Sequence, residues 1–172
     1  IELVRMRGER FLMGAPRNQR GQRANEILRD VGFSREFYIG KYEVTQAQYA
    51  KFKGGLAGDE PVSNVTWTDA ALFCNWLSRE SGLAEFYVVS GGNVVGVSGS
   101  DGYRLPTEAE WEYVARYYKK KNPSIFVWGD DYVVDARSGN IADSSAANLA
   151  RRHIGDYSDG FEKKGPVGIS SS

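Results

Sequence analysis

The run GYRLPTEAEWEYVAR, residues 102–116, places Arg104, Glu108, Glu110 and Glu112 close together in the chain. Carboxylates beside a guanidinium can do general acid–base chemistry, because the cation tunes the proton affinity of its neighbours. A structural reading accounts for the same residues more fully. Thr107 followed three residues later by Glu110 is a capping box, Glu108 suits the positive end of a helix dipole, and Arg104 can pair with carboxylates to pin the preceding loop. The segment therefore reads as scaffold. Other reactive side chains are scarce. Cys74 is the only cysteine and His153 the only histidine, so this chain offers neither an internal disulfide nor a histidine-rich metal site. Cys74 sits mid-helix between Phe73 and Trp76, where a cysteine behaves as a small core residue rather than a nucleophile. Trp67, Trp76, Trp111 and Trp128 are read as core and loop anchors in preference to the lining of a ligand groove. Lys119–Lys121 reads as a solvated helix end, and Arg17, Arg20 and Arg23 as a polar loop facing an acidic partner at most.

Three capped helices must position these residues. Thr45 and Gln48 form a capping box, so a helix is predicted from about Gln46, with Tyr49 and Phe52 on its apolar side. Thr68 or Asp69 is the expected cap of a second, buried helix through Leu77 that stops at Gly82. Thr107 opens the third. FLMGA, REFYIGKYEVT and EFYVVSGGNVVGVS carry strand composition, the last turning at Gly91–Asn93 as a hairpin. The stretch from Trp128 onward shows little periodicity, which requires another organiser. With 172 residues and 41% apolar content, the whole reads as one α+β domain. Lys+Arg and Asp+Glu both total 22, so no net field draws the chain to nucleic acid or an anionic membrane. No run is long and apolar enough to span a bilayer, and the N-terminus lacks a signal-peptide core. A start at Ile1 fits a processed product.

In order along the chain, FLMG, FYIGKYEVTQAQYAKF, PVSNVTWTDAALFCNWLS, GYRLPTEAEWEYVAR, FVWGDD, GNIADSSAAN and DGFEKKGPVG resemble the formylglycine-generating enzyme, or sulfatase-modifying factor, family. The resemblance implies a C-type lectin-like variant of the α+β class, rich in loops, over residues 1–172 as a single domain. In catalytic members, a late cysteine pair binds copper and oxidises a substrate cysteine to formylglycine. No such pair follows Gly168, so the domain is expected to be C-terminally incomplete. A strand of FLMGA or FYIGKYEV is then expected to keep an edge open to a completing partner segment.

The resulting expectation is a non-catalytic binding or regulatory module for a protein or peptide ligand, in a bacterial periplasm or at a cell surface. The alternative is a copper-dependent oxidase acting on a sulfatase cysteine. The resemblance also implies a structural calcium in the irregular second half, held by the side-chain oxygens of Asn140 and Asp159 and the backbone carbonyls of Ile141 and Phe161. Hard oxygen donors suit that ion. Asn148–Leu149 is a rival for the first pair, and an ordinary turn at SDGF accounts for the same residues without any ion.

Overall fold

The computed structural model describes residues 1–120, 123–126, 128–130, 139–140, 157–161 and 163–168. Among the described residues, three α-helices and three two-stranded antiparallel sheets make a mixed fold, and the contacts divide into two compact units.

One unit runs from Tyr42 to Leu105, together with Ile1. Helix α1, Gln46–Lys53, starts at the expected capping box, with the Thr45 side chain accepting from the Gln48 amide and the Gln48 side chain accepting in return. Helix α2, Trp67–Glu80, is capped by Thr66, two residues before Thr68 and three before Asp69, the expected caps. Asp69 lies at its third position, where the amide donates to Thr66 Oγ1 and the carboxylate accepts from the same hydroxyl. It thus serves the cap without being the cap. Gly82, at φ +69°, lies just beyond the Ser81 C-cap. Tyr49, Phe52, Phe73 and Trp76 join α1 to α2 as an aromatic cluster with ring centroids 5.3 to 6.1 Å apart. Strands β5, Tyr87–Ser90, and β6, Asn93–Gly96, form the predicted hairpin, with Val88 opposite Val95. Tyr87 packs with Ala71 and Cys74 at the core of this unit.

The other unit comprises residues 2–41 and 106–172. Strand β1, Leu3–Met6, pairs with β4, Phe37–Gly40, and β2, Phe11–Met13, pairs with β3, Arg29–Val31. Among the described residues, FLM and FYIG each have one partner strand, supplied from within the N-terminal segment. Helix α3, Glu108–Arg116, buries Glu110 and Tyr113. Tyr113 meets Phe11 and Phe33 edge-on at 5.5 and 5.4 Å, and Tyr117 meets Phe11 at 4.9 Å. This aromatic cluster anchors α3 against β2. Among the described residues, no helix is long and apolar enough to cross a membrane.

Candidate functional site

The chemistry-bearing run at residues 102–116 resolves into two structural devices. At the helix start, Thr107 Oγ1 accepts from the Glu110 amide at 3.2 Å, while the Glu110 carboxylate accepts from the Thr107 amide at 2.8 Å. Glu110 is buried. One turn later, Glu112 and Arg116 enclose a single peptide. The Gly14 amide donates to Glu112 Oε1 at 2.8 Å, Arg116 donates to the Gly14 carbonyl at 2.8 Å, and the two side chains pair at 2.7 Å. The Arg116 Nε also donates to the Ser124 carbonyl at 2.8 Å. Gly14 is at φ +95°, and a Cβ there would stand 2.6 Å from the Ile27 carbonyl oxygen, so only glycine fits the position. Glu110 and Glu112 thus hold backbone, while Glu108 lies exposed in the first turn of α3. Arg104 lies over the Phe86 ring at 5.7 Å and donates to the Leu105 carbonyl at 3.2 Å.

Helix α2 organises residues 84–105 in a similar way with neutral groups. Asn75 accepts from the Tyr87 amide at 2.9 Å and donates to the Tyr87 carbonyl at 2.6 Å and to Glu85 at 2.8 Å. It thereby substitutes for a partner strand. Ser78 donates to the Cys74 carbonyl and accepts from the Tyr103 amide, while the Tyr87 hydroxyl accepts from the Leu105 amide. Neither Asn75 nor Ser78 was singled out from the sequence. A polar pair on the buried face of an otherwise apolar helix was the available signal. Cys74 is buried beside them, and burial pushes its thiol up to about 11. At neutral pH it is a protonated core residue, as expected, and it does not fit copper, which a thiolate binds.

The predicted calcium ligands fall on the sparsely described second half. Asn140 is exposed, Asp159 and Phe161 are half-buried, and Ile141 lies outside the described residues, as do Asn148, Leu149 and His153. Asp159 Oδ1 accepts from the Phe161 amide at 2.8 Å, and Gly160 between them is at φ +83°. That is an Asx turn. The buried Tyr157 donates its hydroxyl to the Gly139 carbonyl at 3.0 Å, so the residue before Asn140 is tied to the segment that carries Asp159. Among the described residues, no three His, Cys, Asp or Glu side chains cluster as metal ligands. The tryptophans divide. Trp76 stacks on Phe73 and Trp128 on Phe126, the latter at 4.8 Å and 6°. Trp67 and Trp111 are more than half exposed, at 56% and 62%, contrary to a core role. In α3 the inward stripe passes through Glu110 and Tyr113, which turns Trp111 outward.

This combination of capped helices, small sheets and backbone-holding side chains belongs to a recognisable class. Residues 53–171 match the family described as sulfatase-modifying factor enzyme 1-like domain, and the chain is a member of that family. It is 37% identical to the chaperone protein LppX of Paenibacillus barcinonensis, over 54% of this chain and 44% of that protein. It is 28% identical to the formylglycine-generating enzyme of Bos taurus, over 63% of this chain and 21% of the enzyme. The chain thus spans less than half the length of these curated relatives. Among solved structures, PvdO from Pseudomonas aeruginosa superposes with a TM-score of 0.66 at 25% identity, covering 98% of this chain and 62% of PvdO. CarF gives 0.63 at 26%, covering 80% and 66%.

Proposed function

We propose that this polypeptide is a non-catalytic, protein-binding module built on a C-type lectin-like scaffold. The observation that carries this reading is the state of Cys74. A copper-dependent cysteine oxidase needs accessible thiolate, and the only thiol of this chain is packed in the α2 core with its pKa pushed up to about 11. Of the carboxylates that sequence made candidates for acid–base work, Glu110 is engaged in capping and Glu112 in holding Gly14. The 37% identity to a protein named as a chaperone supports protein binding as the alternative to chemistry. Incubation of the chain with copper, oxygen and a peptide bearing the motif Cys-x-Pro-x-Arg is the test. The peptide is expected to keep its cysteine mass, and aldehyde formation abolished by Cys74→Ser overturns the reading. The second reading, a formylglycine-generating oxidase, draws on the 28% identity to the Bos taurus enzyme. It requires cysteines beyond those of this sequence.

A structural calcium belongs to the same proposal. Asn140 and Asp159 would offer side-chain oxygens, and Ile141 and Phe161 backbone carbonyls, all hard donors. The Tyr157–Gly139 hydrogen bond supports it by drawing together the two segments that carry these groups. Bound there, the ion would supply an organising charge for a region with few regular elements. Binding to the native state alone raises stability with ion concentration. The wild-type melting temperature should therefore rise with calcium and fall with chelator, and Asp159→Asn should blunt both changes. An unshifted wild-type midpoint removes calcium from the proposal.

A further inference from the structure

At the end of α3, beside β1, lies a cleft of about 400 Å³ whose lining includes Arg5, Arg7, Glu9, Tyr113, Lys119 and Lys120. Its charge is lopsided in a chain whose net charge is zero. Four cations face three carboxylates, Glu9 in the lining, Glu36 paired with Arg5 at 2.5 Å, and Asp130, whose charge acts on Lys120. The balance stays positive. Two of the four cations are already committed. Arg5 donates twice to Glu36, and Lys120 donates to the Ala115 carbonyl at 3.2 Å and to Ser124 Oγ at 2.8 Å. The other two, Arg7 and Lys119, line the cleft and are exposed. The Arg7 side chain is 80% exposed, its ion pair with Glu36 is stretched to 4.0 Å, and its backbone is fixed by the Tyr113 hydroxyl.

Lys119 is the more informative residue. Its ammonium lies over the Tyr118 ring at 5.2 Å, and among the described residues no carboxylate pairs with it. Its backbone sits at φ +56°, in the left-handed region that glycine occupies without cost and lysine does not. Asn64 is the other described non-glycine residue with positive φ, and asparagine tolerates that region. A helix end needs one left-handed residue only to stop, and glycine serves that purpose best. A lysine there keeps a strained backbone in exchange for a cation at the cleft mouth. Strain of this kind is a pointer to function.

We propose that this cleft binds a small phosphate monoester, its dianionic tetrahedral group taken up by Arg7 and Lys119. A guanidinium fork matches phosphate oxygens bidentately, lysine adds a point charge, and the two cations of Arg7 and Lys119 match a dianion better than a monoanion. The site is independent of whether the domain binds protein or oxidises cysteine. Calorimetric titration of the full chain at low salt, with phenyl phosphate, inorganic phosphate and the monoanion phenyl sulfate, tests it. Saturable binding of phenyl phosphate is expected, with phenyl sulfate at least tenfold weaker. Inorganic phosphate bound equally well means that the anion alone is read, and weaker binding means that the ester group contributes; both support the site. Arg7→Gln and Lys119→Gly should each weaken binding at least tenfold, while Lys119→Gly raises the melting temperature by relieving the left-handed lysine. No saturable binding, equal binding of phenyl sulfate, or binding untouched by both variants overturns the proposal.

Discussion

Helices α2 and α3 each reach across to a stretch of chain and satisfy its backbone with side chains, but α2 does so with neutral groups and α3 with charged ones. Asn75 and Ser78, 3% and 0% exposed, hold Tyr87 and Tyr103. Glu112 and Arg116, with side chains 17% and 18% exposed, hold Gly14 and Ser124. The difference follows burial. A fully enclosed charge carries a desolvation penalty that a neutral amide avoids, whereas a partly wetted guanidinium can serve three acceptors at modest cost. The two devices should therefore fail differently.

The largest loss is expected for Asn75→Ala. It leaves the buried Tyr87 amide and carbonyl without their side-chain partner, at roughly 1–3 kcal/mol for each orphaned group and about 4 kcal/mol in all. That loss, measured by urea unfolding, should be the same at low and high salt. Arg116→Ala comes next, at about 3 kcal/mol, since it strips the Gly14 and Ser124 carbonyls and leaves Glu112 unpaired. Raising salt from about 0.1 to 1 M should shrink the Arg116 effect by screening the wild-type pair. Arg116→Lys should recover only part of the loss, because Nε and Nη1 serve different acceptors. If the Asn75 effect proved salt-dependent and the Arg116 effect did not, the contrast between the two helices would collapse. Thr107→Ala should cost about 1 kcal/mol, the ordinary worth of a helix N-cap.

The smallest effect belongs to Asp69→Asn at the exposed start of α2. The Asp69 carboxyl is held below its ordinary value of 3.8, chiefly by its hydrogen bond from Lys53 and then by Thr66. A depressed carboxylate contributes stability that is present above the unfolded-state value and lost as pH falls through the folded one. The wild-type advantage over Asp69→Asn should thus be constant at neutral pH and fade below 3.8. Melting curves of both proteins across acid pH check the sign. A gap that widens in acid contradicts it.

Local devices were legible in the sequence, and long-range ones were not. The capping boxes at Thr45 and Thr107 need only a hydroxyl and an acceptor three residues apart, and both occur as predicted. The turn of the β5–β6 hairpin at Gly91–Gly92 was readable for the same reason. Strands β1 and β3 went unread because LVRM and RDV are short, and RDV is largely charged. They become strands only through partners far along the chain. Glu112 and Arg116 look in sequence like an ordinary surface pair at helical spacing. That they enclose the Gly14 peptide depends on a contact nearly a hundred residues away. Among the calcium candidates, the Asp159–Phe161 turn was visible as SDGF, whereas the Tyr157 bond to Gly139 had no sequence signature.

Tyr103 belongs to no helix or strand, yet its amide donates at 2.8 Å to the Oγ of a serine that solvent does not reach. In a deuterium-exchange experiment, slow amides are ordinarily traced to helix and sheet ladders, and irregular segments trade their protons quickly. Here the amide of Tyr103 should exchange on the timescale of the α2 interior, and Ser78→Ala should release it selectively. A protection map would then mark this loop residue as part of the last structure to open.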